Sequence, residues 1–304
     1  MKRMRWIGML AALLAVTMLA SSCGSEKKKD NQNDNKNPGQ NNQQGEDTTP
    51  DPDINIEESL LITLDDDKTD VGTSGAVYEK GKLSITKAGV YRLKGTLTNA
   101  QVYISVQKTE VVELILDGCS ITCKTNAAIY CDSADKLYIT ANKGTENVLT
   151  DGHNYIYTAI GADEPNACLF SDDDITLRGG GKLTVNGNYK NGVSSKNDIK
   201  IKDLTLTVNA ANTGLRGKDS VEINSGSLTV VAEKDGIKAT QTEKADKGFI
   251  EINDGTVNVT AGDDAFQATV RITINGGKVS AACEGKNFNC DGEVFTAEGS
   301  FTEK

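Results

Sequence analysis

The sequence predicts an all-β protein: a right-handed parallel β-helix, a single solenoid with an N-terminal β cap. Two observations carry this. The first is a phrase that recurs, as Ile199-Lys-Ile-Lys-Asp-Leu-Thr-Leu-Thr-Val208, Val221-Glu-Ile-Asn-Ser-Gly-Ser-Leu-Thr-Val230, Ile250-Glu-Ile-Asn-Asp-Gly-Thr-Val-Asn-Val259 and Ile272-Thr-Ile-Asn-Gly-Gly-Lys-Val279. Ile199 and Val221 are 22 residues apart, as are Ile250 and Ile272, and a fixed period near twenty marks a stacked-repeat architecture. The gap from Val221 to Ile250 is 29, and the polar run Thr242–Gly248 supplies the extra seven residues. The second observation is the period inside each copy. Ile199, Ile201, Leu204, Leu206 and Val208 are apolar with polar residues mostly between them. That is strand periodicity, and it excludes helical and leucine-rich repeats.

Taken in order, the chain opens with Lys2, Arg3 and Arg5, an apolar run from Ile7 to Leu19, and Ala20-Ser21-Ser22-Cys23. Basic, apolar, then small residues make a secretory signal over 1–22. The span is too short for a membrane helix. Cys23 after the cut, followed by Gly24-Ser25, resembles a bacterial lipoprotein signal, so Cys23 is the expected lipidation site. Residues 23–53 are rich in Asn, Gln, Asp, Lys and Pro and nearly devoid of apolar side chains. Such a stretch cannot bury enough surface to fold and reads as a disordered tether. Residues 54–304 form the β-helix domain.

Within it, 60–116 reads as strands that cap the first coil, as a solenoid end requires. Leu114-Ile-Leu-Asp-Gly-Cys-Ser-Ile121 already matches the repeat phrase. A coil starting at Leu137 carries a long insertion, about 150–166, and loops of that length are usually functional or mobile. Each coil then reaches a second signature: Asn191-Gly-Val-Ser-Ser, Thr213-Gly-Leu-Arg-Gly, Asp235-Gly-Ile-Lys-Ala, Asp264-Ala-Phe-Gln-Ala. Coils stack at roughly 4.8 Å, so equivalent residues form ladders. Val193, Leu215, Ile237 and Phe266 are expected to stack inside, followed by the small Ser195, Gly217, Ala239 and Ala268. Asn224, Asn253 and Asn275 should stack at one corner, each two residues before a glycine.

The net charge is −10, and signal cleavage removes Lys2, Arg3 and Arg5, making the mature chain more acidic still. With no basic stripe, nucleic acid is excluded as a partner. An acidic glycan needs a bridging cation. Of the seven cysteines, Cys119, Cys123, Cys131 and Cys168 read as small core residues, while Cys283 and Cys290 bracket a loop and could form a disulfide. The single histidine, His153, sits in the insertion, where it reads as an exposed loop residue rather than a catalytic base or ligand.

The acidic residues say more. Asn191, Thr213, Asp235 and Asp264 share a register position, with Asn212 and Asp263 alongside. Asp235 and Asp264 should therefore face each other one coil apart, where like charges destabilise a sheet. A calcium ion, which takes six to eight oxygen ligands, would relieve that conflict. The plainer reading is solvated Asx-Gly turns.

The run Ile85-Thr-Lys-Ala-Gly-Val-Tyr-Arg-Leu-Lys-Gly-Thr-Leu97, the Leu116-Asp-Gly-Cys-Ser-Ile121 phrase and Gly181-Lys-Leu-Thr-Val-Asn-Gly-Asn188 resemble a bacterial family. It is the calcium-dependent carbohydrate-binding β-helix family, with the fold of the pectate lyases. The similarity covers about 60–280. It implies an exported, cell-envelope protein that binds polysaccharide, cellulose or pectin-like, including uronic-acid polymers, with calcium along one face. Asp235 and Asp264 match its Asp-Gly-Ile coils. Asn191 and Thr213 stand where the family shows Asp, and Ala265 follows Asp264 in place of Gly, which implies fewer or weaker ions.

The leading expectation is thus a surface-anchored, non-catalytic polysaccharide-binding protein. Its metal candidates are Asp235, Asp264, Asp263, Asn191, Asn212 and Thr213. Ser194, Arg216, Lys238 and Gln267 should point outward beside the acidic column, with Arg216, Lys238 and Gln267 as sugar-binding candidates. Tyr155 and Tyr157 are candidates for a sugar-stacking rim. The alternatives are a polysaccharide lyase acting on uronic-acid polymers, and a structural or adhesin spacer without sugar specificity.

Overall fold

The fold was analysed in a computed structural model that describes residues 55–304; the signal segment, Cys23 and the tether to residue 53 lie outside it. Among the described residues every regular element is a strand, and there is no helix. The strands form two sheets, of 17 and 10 strands. The larger combines two columns, made continuous where Gly89–Leu97 and Val111–Thr122 run unbroken through both. The smaller is a third column, from Lys82–Ile85 to Phe288–Cys290. A typical coil takes one strand from each column, as in Asp198–Lys202, Thr205–Ala210 and Leu215–Gly217. Each strand pairs in parallel with its equivalent one coil on.

The apolar half of each strand points into the stack. Leu114, Ile139, Leu177, Ile201, Ile223, Ile252 and Ile274 form one continuous interior ladder. None of these side chains is more than 1% exposed. Full burial of such a residue contributes about 1.5–3 kcal/mol, so the ladder is a principal source of stability. The third column holds Val193, Leu215, Ile237 and Phe266 in one register, and Ser195, Gly217, Ala239 and Ala268 two residues on. At a corner of the larger sheet the Asn253 amide donates to Asn224 and that of Asn275 to Asn253, both at 2.8 Å.

Two expectations are corrected. Regular parallel stacking begins at Leu60–Leu64, which pairs with Gly89–Leu97, so most of 60–116 is coil rather than cap. Bulges between Leu93 and Gly95 and between Ile104 and Ser105 break the spacing there and hid the repeat. Among the described residues only Val77–Glu79 runs antiparallel, against Lys82–Ile85, with a bridge between Thr63 and Asp70 beside it. Second, Cys283 and Cys290 are free. Their sulfurs turn to different partners, the Asn287 side chain and the Glu293 carbonyl. Cys119, Cys123, Cys131 and Cys168 are buried in the stack, and burial pushes the thiols of Cys119 and Cys131 up to about 12.

The polar run after Ala239 is a strap across one corner. Lys244 reaches Asp219 at 2.9 Å and Lys247 reaches Asp198 at 3.0 Å. Asp219 is buried, so the strap supplies the counter-charge that its position requires.

Candidate functional site

The second signature lies where the chain turns into the third column, and its register is fixed by backbone bonds. Gly192 N–H donates to the Thr213 carbonyl, Gly214 to Asp235, Gly236 to Asp264 and Ala265 to Lys286, at 2.9–3.0 Å. These bonds place Asn191, Thr213, Asp235, Asp264 and Lys286 directly over one another. The glycines have a packing reason. A Cβ on Gly192, Gly214 or Gly236 would come within 2.2–2.3 Å of Val208, Val230 or Val259 of the following coil. Ala265 breaks this rule, and the residue standing where that valine should be is Ala281, the ladder partner of Val259. The methyl gained at Ala265 is accommodated by the bulk lost at Ala281. The departure from Asp-Gly is therefore a packing exchange and leaves Asp264 in register.

Asp235, Asp263 and Asp264 converge: one carboxylate oxygen from each lies within 4.8 Å of the other two. Asp235 and Asp264 are buried and Asp263 is exposed. Gly285, one coil on, packs close against the pair, since a Cβ there would sit 2.7 Å from an Asp264 oxygen and 2.9 Å from an Asp263 oxygen. Three converging carboxylate oxygens are the donor type a hard cation such as calcium takes. The protein also answers part of the charge itself. Lys238 Nζ reaches Asp235 Oδ2 at 2.8 Å. Asp264 accepts from Lys286 N–H at 2.9 Å and from the Asn289 amide at 2.6 Å. Asp235 and Asp264 thus face each other one coil apart, as register suggested, and each also has a partner within the protein.

The other metal candidates, Asn191, Asn212 and Thr213, add no carboxylate to the cluster. Asn191 lies two coils from Asp235 in the ladder and gives its amide to the Asn166 carbonyl and side chain, at 3.0 and 3.1 Å. Thr213 and Asn212 sit one coil away and add no carboxylate.

The outward row of the third column reads Ser84, Tyr103, Tyr130, Phe170, Ser194, Arg216, Lys238, Gln267, Asn289. It has an aromatic part and a cationic part. Tyr103 and Tyr130 centroids are 5.5 Å apart, Tyr130 and Phe170 5.7 Å, both edge-on. Both tyrosine hydroxyls donate to Asp132. Sequence reading missed Tyr103 and this alignment. The signal was the residue after the first apolar of each signature, in Val102-Tyr103, Ile129-Tyr130 and Leu169-Phe170, obscured by irregular coil lengths. Ser194, expected outside, is buried, while Arg216, Lys238 and Gln267 are partly exposed. Lys238 already pairs with Asp235; Arg216 has no hydrogen-bond or ion-pair partner. Gln267 Oε1 is buried without a hydrogen bond.

Beside Arg216 is a hollow of ≈ 290 Å³ lined by Glu164, Phe170, Ser194, Ser195, Lys196, Arg216 and Lys218. Lys196 is shared between Glu164 at 2.5 Å and Asp172 at 3.1 Å. Burial opposes its charge, but the two carboxylates outweigh burial and raise its pKa. Lys196 is thus a cation, not a general base.

The two rim tyrosines serve the insertion instead. Tyr155 stacks on Tyr189 at 4.3 Å and donates to Asp151 at 2.7 Å. Tyr157 donates to the Pro165 carbonyl at 2.9 Å. Both hydroxyls are held within the protein, so these rings fasten the loop. His153 is exposed, as expected.

Among the described residues no helix is long and apolar enough to cross a membrane. The stack of parallel strands thus presents one polar, partly aromatic outer row. The model of the carbohydrate-binding domain-containing protein family matches residues 79–302, and the chain belongs to that family. A carbohydrate-binding domain-containing protein of Acetivibrio thermocellus is 36% identical over 239 residues, 78% of this chain and 84% of that protein. A solved structure, described as the polysaccharide lyase-like protein from C. thermocellum, gadolinium derivative, superposes with a TM-score of 0.79 at 38% identity. It covers 81% of this chain and 99% of that one.

Asp151, at the foot of the insertion, carries a pH prediction. Burial pushes its carboxyl up to about 6 from 3.8, against the opposing bonds from Tyr155 and Asn188. A raised folded-state pKa means the protonated form stabilises the fold: that contribution is full below 3.8 and is lost as pH rises through about 6. Asp151→Asn cannot ionise. Melting measured from pH 4 to 7 should show the wild type losing roughly 3 kcal/mol relative to this variant; parallel curves would refute the assignment.

Proposed function

We propose that this chain is a surface-anchored, non-catalytic polysaccharide-binding protein that grips uronic-acid polymers with the help of calcium. Membership of the carbohydrate-binding family supports the polysaccharide. One observation supports the acidic, metal-assisted form of it: a partnerless Arg216 and the Asp235–Asp263–Asp264 cluster lie on the same edge of the third column, within two coils of each other. Calcium would be held by those three carboxylates and would offset the repulsion between an acidic protein and an acidic polymer. Arg216 would take a sugar carboxylate in a two-pronged bond. We read the stack as a right-handed parallel β-helix of the pectate-lyase type, since parallel crossovers are overwhelmingly right-handed. Residues 65–79 close its N-terminal end. Lipidation at Cys23 would hold the domain at the cell envelope, with the tether as spacer.

A lyase is the second reading, favoured by the description of the solved relative as polysaccharide lyase-like. A lyase needs a base near the metal. Lys238, the amine that reaches the cluster, is already taken up in an ion pair with Asp235 at 2.8 Å.

The direct test is binding of polygalacturonate and of its methyl ester. The free acid should bind in calcium and be released by a chelator, the ester should bind poorly, and no ultraviolet-absorbing unsaturated uronide should form. Arg216→Ala should weaken the acid by about 1.5–3 kcal/mol, the size of a charge-assisted hydrogen bond. Equal binding of acid and ester would remove the bridging mechanism, and a rising ultraviolet signal would install the lyase.

The metal site has its own readout. A ligand bound only by the folded state stabilises it by about 2.7 kcal/mol at a hundredfold excess over Kd. Chelation should lower the melting temperature of the wild type and leave Asp263→Asn almost unmoved. Because Asp263 is exposed, that variant without metal should match the wild type within about 0.5 kcal/mol. An unchanged chelator shift in the variant would discard Asp263 as a ligand.

For the anchor, Cys23→Ala should release the protein from the membrane fraction or leave its precursor uncleaved. Normal processing and fractionation would sink that part of the proposal.

A further inference from the structure

We infer that the hollow beside Arg216 binds a single carboxylated sugar residue without metal, and that Glu164 of the insertion is a built-in competitor for that carboxylate. This deepens the polysaccharide reading and rests on it.

The hollow is an exception in this molecule. The chain as a whole carries −10, yet three cations, Lys196, Arg216 and Lys218, line one space with a single carboxylate, Glu164. The ion pairs divide these charges unequally. Lys196 has two partners, Glu164 and Asp172. Arg216 and Lys218 have none, although most of the lysines turned toward acids elsewhere on the stack are paired, as Lys238, Lys244 and Lys247 are. A guanidinium held beside an open space, with no carboxylate of its own, suits an incoming one.

Glu164 occupies the position of such a ligand. It comes from the insertion, not from the coil ladder, and its carboxylate lies 2.5 Å from Lys196. Removing it would not strand Lys196, because Asp172 stays at 3.1 Å. The exchange is therefore carboxylate for carboxylate: a sugar acid displaces Glu164 and gains Arg216 as well. Phe170, 1% exposed, forms the floor, and Lys196 lies 5.8 Å above its ring. A volume of ≈ 290 Å³ is at the lower end of small-ligand pockets, roughly 300–1,000 Å³. It admits one ring, a chain end or side branch, and not a polymer segment. The acidic cluster is farther along the column and the two sites share Arg216: a polymer spanning both also needs the metal, whereas a single carboxylated residue in the hollow does not.

The probe is digalacturonate, measured by calorimetry in chelator with the mature chain. Glu164→Gln should bind it more tightly by roughly two- to fivefold, the size of an exposed ion pair. Glu164→Asp, which keeps the charge but withdraws it by one methylene, should fall between. Arg216→Ala and Lys218→Ala should weaken binding, and the methyl ester should bind no variant better than the wild type. Melting curves confirm that each variant is folded. If Glu164→Gln binds equally or less well while Arg216→Ala still weakens binding, Glu164 is a wall and not a competitor. If digalacturonate fails to bind in chelator while polygalacturonate binds in calcium, the hollow is not a sugar site and the wider reading stands. If neither binds under any condition, that reading falls and this inference falls with it.

Discussion

Everything in this molecule depends on one constraint: the backbone of each coil hydrogen-bonds to the next in parallel register. Strand spacing is fixed at about 4.8 Å, so any residue at one position of the repeat is brought against its equivalents. Apolar residues gain by this, and the interior ladder from Leu114 to Ile274 follows. Side-chain amides gain too, as Asn224, Asn253 and Asn275 do by bonding along the stack. Space is also shared between coils. Gly192, Gly214 and Gly236 leave room for valines one coil on, and Ala265 is tolerated because Ala281 stands in for the fourth valine. A substitution in one coil is in effect a substitution in its neighbour's environment.

Charge is where the constraint costs something. Stacked acids repel, and the chain answers in three ways. The strap after Ala239 brings lysines to Asp219 and Asp198. Lys238, one turn of the strand from Asp235, neutralises it in place. Asp264 is stabilised by N–H donors from Lys286 and Asn289. Asp263 is left exposed without such help. Within the cluster, Asp235 and Asp264 have partners and Asp263 does not. The same contrast isolates Arg216 among the cations of the outer row.

The insertion breaks the repeat and shows what the repeat cannot supply. Asp151, Tyr155 and Tyr189 fasten its base to the stack, and Glu164 carries its far end to Lys196. It thereby gives a flat sheet one walled space, with a direction along the column. Tyr155 and Tyr157 looked like sugar-binding rings because they are aromatic, close together and in a loop. Their hydroxyls turn inward because burial of a phenol demands a partner.

The sequence by itself determined the strand class, the coil period and the ladders from Val193 to Ala268, because those depend on the local alternation of apolar and polar residues and on repeat spacing. It also brought Asp235, Asp263 and Asp264 together, since register alone decides that. It did not determine where stacking begins. At Gly89–Leu97 and Gln101–Ser105, bulges spoil the count, and only paired backbones reveal the coil. Nor could it say which charges are already matched. Lys238 on Asp235 and Lys196 between Glu164 and Asp172 depend on side-chain reach across coils and across the insertion. Tertiary structure alone decided that Arg216 faces open space while Lys238 does not, because a charge is available to a ligand only when no neighbour in three dimensions has claimed it.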